Sequence, residues 1–144
     1  MKRGDTVCYQ FKATWHGISR MYNEEGVKHG LTASVGYVLL NIDEKEGTPA
    51  TRIGPLLGME PTSMSRMLKS LENDQYIYRQ KDPDDKRLVR IFLTPKGKEK
   101  KQIARKVVKK FNALVRKEID PRKLEIFFEV AADISSIIDR KNIF

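Results

Sequence analysis

Thr51-Arg52-Ile53-Gly54-Pro55-Leu56-Leu57-Gly58-Met59-Glu60-Pro61-Thr62-Ser63-Met64-Ser65-Arg66-Met67-Leu68-Lys69-Ser70-Leu71-Glu72-Asn73 runs into Asp74-Gln75-Tyr76-Ile77-Tyr78-Arg79-Gln80-Lys81-Asp82-Pro83-Asp84-Asp85-Lys86-Arg87-Leu88-Val89-Arg90-Ile91-Phe92-Leu93-Thr94-Pro95-Lys96-Gly97. The stretch reads as two short helices, two strands around a charged turn, and the start of a further helix. The first helix covers about Ala50 to Leu57, with Ile53, Leu56 and Leu57 facing inward, and Gly58 suits its left-handed terminator. The next covers about Pro61 to Asp74, and Pro61 suits a first turn where no backbone N–H partner is lost. Met64, Leu68 and Leu71 fall within about 60° of one another on that helix, with Met67 on the flank. Thr62, Arg66, Lys69 and Asn73 cluster on the opposite side. Tyr76–Arg79 and Leu88–Leu93 are rich in β-branched and aromatic residues, and the Pro-Asp-Asp turn between them predicts a hairpin.

Outward from this region the chain reads as helical. Val7, Phe11, Trp15, Ile18 and Tyr22 recur at helical spacing within a helix from Asp5 to about Val27. Gly30 ends it. Thr32 caps a second helix with Val35, Val38, Leu39 and Ile42 as its apolar stripe, and Gly47-Thr48-Pro49 reads as a break. Thr94-Pro95 starts a long helix to about Ile119, with Ile103, Val107, Phe111, Leu114 and Glu118 on one face. Asp120-Pro121 repeats the start signal ahead of a helix carrying Leu124, Phe127, Phe128, Ala131, Ile134 and Ile138.

Composition narrows the function. The 144 residues carry a formal net charge of +9, with 40% hydrophobic and 33% charged residues. That is a globular chain whose charge favours a polyanionic partner. No apolar run approaches the ~18 residues of a bilayer span. Met1-Lys2-Arg3-Gly4-Asp5 lacks the apolar core of a signal peptide, so no membrane association and a cytoplasmic location are expected. The single cysteine, Cys8, excludes an internal disulfide. His16 and His29, even with Glu24 and Glu25, make no compact metal motif, so neither metal nor other cofactor is expected. HExxH, P-loop and GxSxG motifs are absent, and the chain does not read as an enzyme.

The nucleic-acid reading is concrete. An exposed Arg66 can donate two hydrogen bonds to guanine O6 and N7 in a major groove. Thr62, Ser63 and Ser65 are short donors near a helix N-terminus, and Lys69 extends the cationic face. Lys86 and Arg87 stand at the hairpin tip beside Asp82, Asp84 and Asp85. A guanidinium braced by Asp82 and Asp85 can be aimed into a narrow minor groove, and Pro83 stiffens the turn. The lysines after Pro95 suit phosphate. A winged helix serving as a protein-interaction module is the alternative.

Leu56-Leu57-Gly58, Met64-Ser65-Arg66, Leu71-Glu72, Asp82-Pro83-Asp84-Asp85-Lys86-Arg87 and Leu93-Thr94-Pro95-Lys96-Gly97 together resemble the MarR (multiple antibiotic resistance regulator) family of bacterial transcription factors. The Asp-Pro-x-Asp-x-Arg wing followed by Leu-Thr-x-x-Gly carries most of the likeness. The resemblance implies a mainly α fold with a small β-hairpin wing. Residues from about 32 to 95 would form a winged helix-turn-helix DNA-binding lobe, and 5–28 with 96–144 a dimerisation body, in one MarR-like domain. It implies double-stranded DNA as partner, a homodimer on a palindromic operator, a recognition helix in the major groove and Arg87 in the minor groove. The first helix, the last helix and Ile143-Phe144 are the candidate partner surfaces. A repressor released by a small lipophilic or phenolic effector is implied as well, with Trp15, Met21, Tyr22, Tyr37 and Phe111 as candidate pocket residues. Cys8 is placed like the peroxide-sensing cysteine of one branch, which makes a thiol-based redox sensor a further alternative. Ala33 stands where that branch has a second tyrosine, so Cys8 is not expected to be the switch. Asn73-Asp74-Gln75 replaces the glycine common after the recognition helix, and Asn or Asp can take the left-handed geometry there.

Overall fold

The computed structural model describes residues 1–140, 142 and 143. Phe144, expected on a partner surface, lies outside the described residues. Among the described residues the regular structure comprises a short 3₁₀ helix, six α-helices and a three-stranded antiparallel sheet. The chain divides into two compact units, Met1–Val107 and Val108–Phe144.

In the first unit a 3₁₀ turn at Arg3–Asp5 precedes α1 (Val7–Val27). Thr6 caps α1, its hydroxyl accepting from the Tyr9 N–H at 3.3 Å. Thr32 caps α2 (Ala33–Leu40) in the same way, from Val35 at 3.1 Å. Ile42 falls in the turn after α2 rather than on its stripe, and is still fully buried. Strand β1 (Thr48–Pro49) occupies what reads in sequence as a break. It pairs antiparallel with the far hairpin strand, Thr48 opposite Ile91. Two residues, one of them proline, carry no period-2 signal, so only the partner strand reveals it.

Helices α3 (Ala50–Leu56) and α4 (Pro61–Asn73) form the helix-turn-helix. Gly58 has φ +62 at the turn, as its position demands. Leu56 points outward and is 63% exposed, contrary to the inward placement expected from sequence. With seven residues, α3 offers one narrow buried stripe, and Ile53 and Gly54 fill it. Strands β2 (Ile77–Lys81) and β3 (Val89–Leu93) form the wing, and the sheet order is β1-β3-β2. Met64, Leu68 and Leu71 of α4 join Val38, Leu39, Ile42, Ile53, Ile77, Ile91 and Leu93 in one buried cluster. Each fully buried aliphatic side chain contributes about 1.5–3 kcal/mol, so this cluster fixes helix against hairpin.

The join between α4 and β2 is held by the start of α5 (Pro95–Glu118). Thr94 donates its N–H to the Tyr76 carbonyl at 3.0 Å and its hydroxyl to the Gln75 carbonyl at 2.5 Å. The same hydroxyl accepts from Gly97 N–H at 3.0 Å, capping α5. Lys96 reaches the Asp74 carbonyl at 3.1 Å and lies over the Tyr76 ring. A Cβ on Gly97 would stand 1.9 Å from the Tyr76 oxygen. The left-handed residue of this join is Gln75, φ 60, not Asn73 or Asp74. Helix α4 closes with Tyr76 N–H on the Leu71 carbonyl at 2.9 Å and Gln75 N–H on Glu72 at 3.0 Å, and that pattern puts the positive φ one residue later.

The second unit holds the C-terminal part of α5 and α6 (Pro121–Asp139). Asp120 caps α6 by accepting from the Arg122 and Lys123 N–H groups. Leu124 is buried, whereas Phe127, Phe128 and Ile138 remain more than half exposed. In the first unit Val7, Phe11 and Trp15 of α1 are likewise exposed.

The geometry of the join sets the stability of two variants. Gln75→Gly relieves a left-handed side chain and raises stability by about 1 kcal/mol in urea unfolding. Gly97→Ala drives a methyl into a backbone carbonyl and lowers stability by about 3 kcal/mol or more in the same assay.

Candidate nucleic-acid interface

Two cationic elements are presented by the first unit. On α4, Thr62, Ser63, Ser65, Arg66 and Lys69 are all exposed, while the opposite side is buried. No carboxylate among the described residues pairs with Arg66 or Lys69. Glu60, the residue before α4, makes no side-chain cap, and the first turn-closing bond is Met64 N–H to the Glu60 carbonyl. The N–H groups of Thr62 and Ser63 therefore face outward at the positive end of the helix dipole, suited to an anionic oxygen.

The wing tip is built around Asp82, only 7% exposed. One carboxylate oxygen accepts from the Asp84 N–H at 2.8 Å and the Asp85 N–H at 3.1 Å. The other accepts from Arg90 Nε at 2.6 Å. These bonds hold the Asp82 carboxyl below the usual carboxylate range, the Arg90 bond contributing most. Asp82 and Leu88 close the turn through the Asp82 N–H and Leu88 carbonyl at 2.9 Å. Asp85 accepts from the Arg87 N–H at 3.0 Å, and its carboxylate lies 3.6 Å from Arg87 Nε. The Arg87 side chain is 94% exposed. Asp82 thus braces backbone and Arg90, and among the described residues Asp85 is the carboxylate that meets Arg87. Lys86, beside it, is exposed and pairs with no carboxylate among the described residues.

Three supporting features escape a reading of sequence alone. Arg90, besides holding Asp82, donates from Nη1 to the Glu46 carbonyl at 3.3 Å and so ties the wing to the loop before β1. The hairpin register sets Gln80 opposite Arg90; Asp82, two residues on, shares that face. That register was the available signal. Glu72 of α4 and Arg79 of β2 form an ion pair at 2.9 Å that couples α4 to the wing. Tyr78 and Phe92, opposite each other in the hairpin, stack at 5.4 Å.

Of the aromatic candidates, Trp15 and Tyr37 have ring centroids 5.4 Å apart, and Tyr22 meets Tyr37 edge-on at 6.0 Å. Burial, and then the neighbouring Tyr22, push the Tyr37 hydroxyl up to about 12. Met21 is half-buried, and Phe111 belongs to the other unit. A shallow groove on α1, lined by His16, Ser19, Arg20, Asn23, Glu24 and Val27, shares none of these residues. Cys8 is exposed near the start of α1. The helical rise places it about 21 Å from Tyr22 along α1.

Residues 31–89 match the family model described as MarR family. The chain is similar to the HTH-type transcriptional regulator TtmR of Methylorubrum extorquens, with 35% identity over 92 residues, covering 64% of this chain and 47% of that protein. It thus spans about half the length of that relative. A MarR/EmrR family transcriptional regulator from Acinetobacter sp. ADP1 has the same fold, with a TM-score of 0.87 at 18% identity over 97% of this chain and 99% of that one. The S. aureus MepR–DNA complex superposes with a TM-score of 0.79 at 19% identity, covering 94% of this chain and 98% of that one. At such identities the likeness of the solved structures is one of fold.

The Asp82 linkage has a definite sign. A carboxyl whose folded pKa is depressed stabilises above its unfolded value, about 3.9 for Asp, and loses that contribution as pH falls through the folded value. NMR should show a slowly exchanging Arg90 Nε–H at pH 7 that is lost below the ordinary Asp range. Asp82→Asn should lose it already at neutral pH, with helical circular dichroism unchanged.

Proposed function

We propose that this chain is a member of the MarR family of winged helix-turn-helix transcriptional regulators, whose model residues 31–89 match, and that it binds a palindromic DNA operator as a homodimer and represses transcription until a small effector releases it. It is a regulator, not an enzyme. The observation that carries the reading is the pairing of two exposed cationic elements on one folded lobe, the outer face of α4 and the tip of the wing. Arg66 and Lys69 read and clamp the major groove, and Thr62, Ser63 and Ser65 meet phosphate or base edges. Arg87 enters the minor groove, held near its place by Asp85 while Asp82 fixes the turn. Lys86 neutralises phosphate.

The exposed apolar residues of α1 and, in the second unit, of α6 support self-association. A patch of this kind is normally covered in a soluble protein. On a two-fold dimer the recognition helices would stand one DNA turn apart, roughly 34–36 Å. The grouped rings of Trp15, Tyr22 and Tyr37 support a lipophilic or phenolic effector.

Selection of bound fragments from a random duplex library should return a palindromic consensus; no enrichment over competitor DNA would favour a protein partner instead. On the selected operator, Arg87→Ala should weaken binding by about 1–3 kcal/mol, and Arg66→Ala should also relax preference at one base pair of each half-site. Unchanged affinity for Arg87→Ala would remove the wing from the binding mode.

A further inference from the structure

The charge of this chain is concentrated on one helix. Helix α5 holds ten of the 28 Lys and Arg residues but only Glu99 and Glu118 of the 19 acidic ones, an excess of eight in a chain of formal net charge +9. Three of those cations are occupied locally. Lys96 bonds the Asp74 carbonyl, Lys100 the His29 carbonyl, and Lys101 the Ile42 carbonyl at 2.5 Å. The other seven are exposed, and no carboxylate among the described residues pairs with any of them.

Their arrangement is ordered. At 100° per residue Lys98, Arg105, Lys109 and Arg116 fall within about 40° of one another, a row of about 27 Å along the helix. Like charges one turn apart, such as Arg105 and Lys109, repel and weaken the helix that carries them. Helix α6, by contrast, carries Glu125, Glu129, Asp133 and Asp139 against only Arg122 and Lys123. A row of unpaired cations instead raises the local concentration of anions. Duplex DNA, with one negative charge per ~1.7 Å of axis, complements a linear row of this length over about eight base pairs.

We propose that the outer face of α5 is a second, sequence-independent contact for duplex phosphates, separate from the grip of α4 and the wing. It rests on the DNA-binding reading above. Its role is to hold duplex outside the operator, on the flank of the bound site or on another segment, and so to raise general DNA affinity without reading bases.

The test uses the full chain with Lys98, Arg105, Lys109 and Arg116 all changed to Gln, and measures binding against salt on a non-operator duplex and on the selected operator. Non-specific binding by the variant should show a log–log salt slope shallower by about 3 to 4, close to 0.9 for each phosphate no longer neutralised. Preference for operator over random duplex should be kept or increased. A loss seen on a minimal operator flanked by extra duplex, and not on the minimal operator alone, identifies the flank; a loss confined to capture of a second duplex identifies another segment. The half variants Lys98→Gln/Arg105→Gln and Lys109→Gln/Arg116→Gln should each remove about half of the slope change, and they keep the test available if the fourfold variant folds poorly. Equal slopes for wild type and variants, with wild type binding operator, would overturn this proposal and leave the DNA-binding reading intact. Failure of the wild type to bind any duplex would overturn both.

Discussion

The close approach of the Gly97 backbone to the Tyr76 carbonyl is the constraint on which the lobe depends. A side chain at 97 would collide with that oxygen at 1.9 Å. Because glycine stands there, the first turn of α5 lies directly on the turn that joins α4 to β2. Thr94 then serves both sides, capping Gly97 and gripping Gln75. Leu93, just before it, is buried in the core. The Leu-Thr-x-x-Gly signature thus has a physical content: one residue for the core, one for hydrogen bonds to both sides of the join, one for clearance.

With that join fixed, α4 and the wing share one buried core. Leu71 and Ile77 flank the turn and both enter the same buried cluster as Ile91. Glu72 and Arg79 tie the same two elements at the surface, at 2.9 Å. An ion pair this exposed adds at most about 1 kcal/mol, so it adjusts the angle rather than holding the fold. At the other end of the hairpin the Asp82–Arg90 pair is largely sheltered from water, and Arg90 carries the brace on to the Glu46 carbonyl. The tip therefore has a defined backbone while the Arg87 side chain stays open to a partner. An ordered backbone under an exposed side chain lowers the conformational entropy lost on any docking.

Much of this was legible in the sequence because it rests on local rules. Thr32, Thr94 and Asp120 cap helices where such residues are expected, and Met64, Leu68 and Leu71 obey the helical period. Strand β1 was hidden because two residues have no pattern and owe their pairing to β3. Leu56 was misplaced because a seven-residue helix turns too little to define a face by spacing alone. The left-handed site fell on Gln75 because hydrogen-bond closure at the helix end, rather than residue preference, decides where positive φ lies. At the candidate site, Arg66, Lys69, Lys86 and Arg87 were visible as charges on exposed positions. Arg90 and the Glu72–Arg79 pair were not, because each joins residues that only the hairpin register or the helix–wing packing brings together.

Native-state hydrogen exchange tests the unity of helix and wing most directly. If α4 and the hairpin form one rigid body, the amides of Leu68 and Leu71 should open together with those of Tyr78 and Ile91, at a shared free energy close to that of global unfolding. Opening of β2 and β3 at a free energy several kcal/mol below that of α4 would contradict the account, because the wing would then be a separately mobile arm.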